Sequence, residues 1–187
     1  MQNLNATRLE TLVRAAARAR QSGDFATALA IAGQATQENL AHPLLLRVQA
    51  EALAVAGRYA EAGQLLNRAL ALAPSDALTI TDIGRVLVAE NRVEEAIRAF
   101  EAAVTARPEL AAAWLELGSA REIAGDDNAA HTAYERAKSL VPGSAEAWAA
   151  LATIAMRRGD ATQARTLAEE ALRLQADIRW LEACEKR

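Results

Sequence analysis

The chain has 187 residues, 52% of them apolar, and its 21 basic and 24 acidic side chains give a net charge of -3. This length suits a single domain, and the absence of a basic excess argues against general nucleic-acid binding. Alanine supplies about half of the apolar residues and strand formers never alternate in a run, so the composition excludes a β-sandwich or barrel and favours closely packed helices.

Residues 1–8 are predicted to be an N-terminal extension, without the basic segment and apolar core of a signal peptide. The only cysteine is Cys184, so no intrachain disulfide can form, and no stretch approaches 18 uncharged apolar residues. We therefore expect a cytoplasmic location and no membrane insertion. Arginine greatly outnumbers lysine, which suggests a GC-rich bacterial gene.

From residue 9 onwards a pattern recurs with a period of 34. Each period holds a residue that tolerates positive φ, and two alanines follow it 5 and 12 positions later. Three prolines with the same spacing, at positions 74, 108 and 142, are expected to end helices. The turn residues are Gly23, Gly57, Asn91, Gly125 and Gly159, and the alanines are Ala28, Ala62, Ala96, Ala130 and Ala164, then Ala35, Ala69, Ala103, Ala137 and Ala171.

This period predicts five units within one domain spanning residues 9–178. Their predicted ranges are 9–42, 43–76, 77–110, 111–144 and 145–178. Each unit should form two helices joined by a tight turn, which in the fourth unit cover residues 111–125 and 128–140. Because one such hairpin cannot bury its apolar face alone, neighbouring units are expected to stack.

Residues 179–187 are predicted to form a capping helix or the start of a truncated sixth unit. Asp177 is a candidate N-cap for this helix. The helix would cover the apolar face around Leu167, Ala171 and Leu174. The segment repeats a spacing found in the fifth unit, 32 residues later instead of 34. Its residues Trp180, Ala183 and Cys184 correspond to Trp148, Leu151 and Ala152 of the fifth unit.

The fourth unit carries a recognisable motif, and the third and fifth units repeat most of it. Its residues are Trp114, Leu117, Gly118, Ala130, Tyr134, Ala137 and Pro142. The motif resembles that of the tetratricopeptide repeat family. The resemblance implies an all-α fold, a right-handed α-solenoid of five helix-turn-helix repeats plus a C-terminal capping helix.

In the resembled family, the first helices of the repeats line a concave groove that binds an extended or helical peptide. The resemblance therefore implies a non-catalytic scaffold for protein–protein interaction, with a protein or peptide as its partner. The corresponding groove residues are Leu44, Arg47, Glu51, Val55, Leu78, Thr81, Asp82, Arg85, Val88, Leu115, Glu116, Ser119, Glu122 and Met156.

Some members of that family clamp the C-terminal carboxylate of chaperones with Lys, Asn, Asn, Lys and Arg. The corresponding residues here are Arg47, Glu51, Asp82, Ala112 and Glu116. Three carboxylates would repel the carboxylate of the ligand, so a chaperone tail is not the expected partner.

The sequence offers no convergent set of catalytic groups. His42 and His131 are far apart in the chain, so no zinc site is expected, and there is no glycine-rich phosphate loop or nucleophile motif. We predict no enzymatic activity, no cofactor and no metal. The acidic pairs Asp126-Asp127 and Glu94-Glu95 are interpreted as charges at helix N-termini.

Two other hypotheses remain open at this stage. The chain could be the N-terminal repeat module of a larger bacterial enzyme, such as a sulfotransferase, glycosyltransferase or hydroxylase, which the gene sequence beyond Arg187 would reveal. It could also self-associate through the exposed ends of the repeat array.

Overall fold

The computed structural model describes the backbone of residues 2–185 and the side chains of residues 5–175. Within these residues the regular secondary structure is entirely helical, which confirms the all-α prediction. The helices are α1 (Gln2–Gln21), α2 (Phe25–Gln37), α3 (Pro43–Val55), α4 (Tyr59–Leu72), α5 (Ala77–Ala89), α6 (Val93–Ala106), α7 (Ala111–Ile123), α8 (Asp127–Leu140), α9 (Ala145–Arg157) and α10 (Ala161–Glu185).

Consecutive helices pair as the five predicted hairpins, from α1 with α2 to α9 with α10. The turn residue has positive φ in every hairpin, between 75° and 82° at the four glycines and 61° at Asn91. In the third turn, the N–H of Asn91 donates to the Val88 carbonyl and the N–H of Arg92 to that of Leu87. These two bonds satisfy carbonyls at the end of α5, so the left-handed residue closes the first helix.

A further positive φ, 54° at Asn39, ends α2. The 34-residue pattern would place a proline next to it, but Leu40 stands there and Pro43 follows three residues later. The N–H of Leu40 donates to the Ala35 carbonyl at 2.8 Å. The first repeat therefore ends its second helix with a backbone motif, where the second, third and fourth repeats have a proline.

The ten periodic alanines all lie in the interior. Their exposed fractions run from 0% to 7%. Protein interiors are packed without spare volume, so a larger side chain at these positions would have to displace its neighbours. The alanine pattern therefore identifies buried positions on the second helix of each hairpin.

Side-chain hydrogen bonds fix several helix starts. The indole Nε1 of Trp114 donates to the Pro108 carbonyl and that of Trp148 to the Pro142 carbonyl, both at 2.8 Å. Asp126 caps α8 by accepting a hydrogen bond from the Ala129 N–H. Glu94 and Glu95 lie in the first turn of α6, as Asp127 does in α8, so both acidic pairs lie at helix N-termini as predicted.

The chain divides into two compact units, Met1–Ala106 and Arg107–Arg187. In the first unit, one core cluster joins α1, α2 and α3 around Leu12, Ala28 and Leu45, and a second joins α3, α4 and α5 around Leu66 and Val86. In the second unit, a cluster joins α8, α9 and α10. Within each unit, the first helix of one hairpin packs on the hairpin that precedes it.

The structure differs from the prediction at the start of the C-terminal segment. Helix α10 continues from Ala161 to Glu185 without interruption, so Asp177 lies inside a helix and does not begin one. The physical reason is the residue at position 176. The 34-residue period predicts a proline there, as at Pro142, but the chain has Ala176, and alanine is a strong helix former. The side chains of Asp177, Trp180, Ala183 and Cys184 lie outside the residues whose side chains the structure describes.

None of the helices, over the described residues, combines the length and the apolar character needed to cross a lipid bilayer.

Candidate functional site

The predicted groove residues of the first unit differ widely in exposure. Val55 is 87% exposed, whereas Arg47 and Thr81 are 8% and 2% exposed. The Thr81 hydroxyl donates to the Ala77 carbonyl at 2.7 Å, so this side chain is not accessible to a ligand. The other members are exposed at Glu51 and Arg85 and half-buried at Leu44, Leu78, Asp82 and Val88.

Charged side chains along α3 and α5 form ion pairs. The Arg47 Nε lies 2.6 Å from the Asp82 Oδ2, and the Arg85 Nη1 lies 3.2 Å from the Asp82 Oδ1. At the end of α1, the Arg20 Nη2 lies 3.3 Å from the Glu51 Oε2. The two carboxylates of this surface are therefore already paired with guanidinium groups. The paired charges hold one another in place beside the apolar residues.

A cavity of about 340 Å³ opens beside these ion pairs. It brings four of the predicted residues together: Glu51, Val55, Asp82 and Arg85. Its remaining lining residues are Arg20, Ala50, Ala54, Tyr59, Leu66, Val86 and Ala89. Most of the wall is apolar, and the charged groups lie on α1, α3 and α5.

A second cavity of about 470 Å³ adjoins the first, because Glu51 and Val55 line both. It lies between α2 and α3 and is lined almost entirely by apolar side chains. Two of them, Phe25 and Leu29, are 56% and 40% exposed. Large apolar side chains with this much exposure are candidates for contact with another molecule.

We call the surface formed by these two cavities the first-unit groove. Its apolar members Phe25, Leu29 and Tyr59 were not among the predicted groove residues. Phe25 and Tyr59 are equivalent in the 34-residue period, each two positions after a turn glycine. That repeat of an aromatic residue is the sequence signal that could have identified them.

In the second unit, Glu122 is already bound to other side chains. Its Oε2 accepts a hydrogen bond from the Tyr134 hydroxyl at 2.9 Å, and its Oε1 lies 2.9 Å from the Arg157 Nη2. Burial, followed by this hydrogen bond, raises the pKa of Tyr134. Arg157 also contacts the Asp127 carboxylate at 3.0 Å, so these residues tie α7, α8 and α9 together.

The other predicted residues of the second unit are dispersed. Ser119 is exposed, Glu116 is half-buried, and Leu115 packs against the core cluster of α8, α9 and α10. Met156 is 63% exposed and lines a third cavity of about 500 Å³ between α9 and α10. Of the five predicted residues in this unit, Met156 lines this cavity and the other four do not.

His42 caps the start of α3. The Nδ1 of His42 accepts a hydrogen bond from the Leu44 N–H at 3.2 Å at the start of α3, and burial lowers the pKa of this imidazole. Among the residues with described side chains, no three His, Cys, Asp or Glu groups are placed to hold a metal ion.

Comparison with known families and structures agrees with this architecture. A family model described as tetratricopeptide repeat matches residues 13–77, 81–145 and 124–177. No curated protein sequence matches the chain.

Several solved structures share the fold at low sequence identity. TTC0263, a thermophilic tetratricopeptide repeat protein of Thermus thermophilus, is 20% identical over 94% of this chain and 98% of its own, with a TM-score of 0.75. MamA (41-end) from Desulfovibrio magneticus RS-1 is 22% identical over 91% and 96%, with a TM-score of 0.70. A chain of the APC/C hetero-tetramer Cut9–Hcn1 is 22% identical over 85% of this chain and 32% of its own, with a TM-score of 0.75.

The family model matches most of every hairpin in both units, so it covers more than half of the chain. The chain belongs to the tetratricopeptide repeat family.

Proposed function

We propose that the chain is a non-catalytic scaffold that binds a peptide or protein segment in the first-unit groove. The observation that carries this proposal is the exposure of Val55, Phe25 and Leu29 around two adjoining cavities. A segment with apolar side chains would remove these residues from water, at about 25 cal/mol per Å² of apolar area buried. Residues of this kind are the usual anchors of helix or strand recognition.

The ion pairs of the groove favour an apolar ligand over a strongly charged one. Glu51 is paired with Arg20, and Asp82 with both Arg47 and Arg85. A charged ligand group would have to compete with these existing partners, so it gains less than it would from a single unpaired charge. Affinity should therefore come mainly from apolar contact, while the charged residues orient the ligand.

The side chains that line the groove are mostly apolar or already ion-paired. Within the part of the chain whose side chains are described, neither cavity is lined by a histidine, cysteine, serine or lysine. The carboxylates that do line it, Glu51 and Asp82, are held by guanidinium groups. Binding is therefore the activity that we assign to this surface.

The test is selection of peptides from a random displayed library by the full chain, followed by calorimetric titration of the selected peptides. Val55→Asp should weaken binding about tenfold or more, since about 1.4 kcal/mol corresponds to a factor of ten. Arg85→Glu should alter which peptides are selected, because it places a third carboxylate beside Asp82 and Glu51.

Two matched variants serve as controls for these substitutions. Leu72→Asp changes an apolar, 54% exposed residue on α4 that lines neither cavity of the groove. Arg98→Glu reverses an exposed charge on α6. Equal binding by the groove variants and the controls would contradict the proposal.

A further inference from the structure

The hairpin of α9 and α10 exposes a face that is covered in other hairpins. Within the first unit, α3 covers the hairpin of α1 and α2, and α5 covers that of α3 and α4. Within the second unit, Ala130 and Tyr134 of α8 are buried against Leu151 and Ile154 of α9. The corresponding face of α9 and α10 holds the third cavity, of about 500 Å³.

This cavity lies where the fourth repeat has an aromatic ring. In the fourth repeat Tyr134 fills the space beside Gly118, where an added Cβ would lie 2.5 Å from the ring Cε1. One period later in the chain, Ala152 and Ala168 replace this glycine–tyrosine pair, and both line the cavity. Its edge carries Leu172, which is 65% exposed. Among the residues whose side chains are described, this face lacks a covering helix and the aromatic ring that the fourth repeat has.

The sequence that matches this face lies in the extension of α10. Helix α10 has 25 residues, whereas α4, α6 and α8 have 14 each. The extension carries Trp180, Ala183 and Cys184 at the spacing of the α9 residues that cover the preceding hairpin. It therefore has the residue pattern of a covering helix.

The environment of Trp148 shows what an indole from this segment would contact. Lys138 Nζ lies 4.8 Å from the centre of the Trp148 ring, and the ring also packs against the core cluster of the second unit. One period after Lys138 stands Leu172, at the edge of the third cavity. An indole seated there would cover an exposed leucine.

The extension cannot reach this face within its own chain. In a continuous helix each residue advances about 1.5 Å along the axis, so residues 177–185 lie beyond Gln175 and not beside α9. The face that the segment can reach belongs to a second copy. We propose that two copies exchange these segments, each placing its residues 177–185 on the α9–α10 face of the other. The exchange is reciprocal and closes a two-fold dimer.

The first test is the mass of the full chain by light scattering and sedimentation across a dilution series. We expect a dimer whose dissociation depends on concentration. Leu172→Glu and Trp180→Ala should shift the population to monomer with unchanged helical circular dichroism. Leu72→Glu, which changes a leucine of similar exposure on α4, should leave the dimer intact. A wild-type chain that is monomeric throughout would overturn the proposal.

A mixing experiment distinguishes segment exchange from contact between two faces. The Leu172→Glu chain has a wild-type segment 177–185, and the Trp180→Ala chain has a wild-type α9–α10 face. One intact contact, between that segment and that face, can therefore form between the two variants. Mixing the two monomeric variants should therefore restore a mixed dimer. If the variants remain monomeric when mixed, while the wild type is dimeric, the exchange is wrong and another interface holds the dimer.

Ala176→Pro tests the role of the continuous helix. It restores the proline of the 34-residue pattern and should end α10 at that point, so that the segment can turn back onto its own α9–α10 face. We expect this variant to be a folded monomer. Its melting temperature should be equal to or higher than that of the Leu172→Glu variant. A dimer of wild-type affinity in this variant would contradict the proposal.

Discussion

The ring of Phe100 lies against Gly84 so closely that a Cβ on that glycine would stand 2.5 Å from the ring Cε1. Phe100 is fully buried, with no exposed surface, and the two residues join α6 to α5. Because the ring is enclosed, it cannot move aside without disturbing its neighbours. The contact makes a methyl group at position 84 incompatible with the packing of this hairpin.

Gly84→Ala should therefore lower the free energy of unfolding by about 1–3 kcal/mol, the usual cost of overpacking. Urea denaturation followed by circular dichroism measures the effect. The matched control is Gly63→Ala in α4, where an added Cβ meets no atom within 4 Å. There, alanine should raise stability by about 0.5–1 kcal/mol through helix propensity. Equal effects at the two glycines would refute the close contact.

Ala130→Leu should destabilise the second unit. Ala130 has no exposed surface and lies in the cluster that joins α8, α9 and α10. The larger side chain should cost about 1–3 kcal/mol, measured by thermal unfolding. Ala102→Leu, at an exposed position of α6, is the control. An unchanged transition for Ala130→Leu would show that the 34-residue register is wrong.

Arg47→Met should destabilise the first unit, because it removes the guanidinium that lies 2.6 Å from the Asp82 carboxylate. This ion pair is largely buried, since the Arg47 side chain is only 9% exposed. Hydrogen bonds to charged groups contribute about 1.5–3 kcal/mol, and we expect a loss of that size in denaturant titrations. Arg14→Met breaks an exposed pair with Glu10 and should cost less than about 1 kcal/mol. A double-mutant cycle with Asp82→Asn that showed no coupling would count against the pair.

Stability should decrease as the pH falls below the ordinary pKa of histidine, in part because of His42. Burial lowers the pKa of His42 in the folded state, although Asp76 opposes this. The folded state therefore binds the proton less readily than the unfolded state, whose pKa is about 6.5. The stabilisation is present above that value and is lost as the pH falls through the lowered pKa. Protonation also removes the Nδ1 lone pair that accepts from Leu44.

The measurement is the urea midpoint of the wild type and of His42→Asn between about pH 8 and pH 5, above the range in which carboxylates titrate. Asparagine is a good N-cap that does not titrate. The variant should therefore lose less stability than the wild type over this range. Parallel curves for the two proteins would exclude a contribution from His42.

Much of the repeat structure could be predicted from the sequence. The turn residues Gly57 and Asn91 and the alanines Ala62 and Ala96 have the same roles in successive hairpins, because positive φ and close helix approach are local requirements that few residue types satisfy. The helices predicted for the fourth repeat agree with α7 and α8 to within two residues.

The groove could be predicted less well, because exposure depends on residues a full period away in the chain. Arg47 occupies a groove position in its own helix, yet Asp82 of the next repeat draws it into a buried ion pair. Phe25 lies on a second helix, outside the predicted set, and still lines the first-unit groove.

By itself, the sequence determined the period, the five hairpins and the buried alanine positions, since these follow from the backbone freedom and side-chain size of single residues. Only the tertiary structure decided which predicted groove residues are exposed, where the cavities open and that α10 continues beyond Ala176. Those properties arise from contacts between repeats. A residue's position in the period determines its place in its own hairpin, but its neighbours in the next hairpin determine what it can bind.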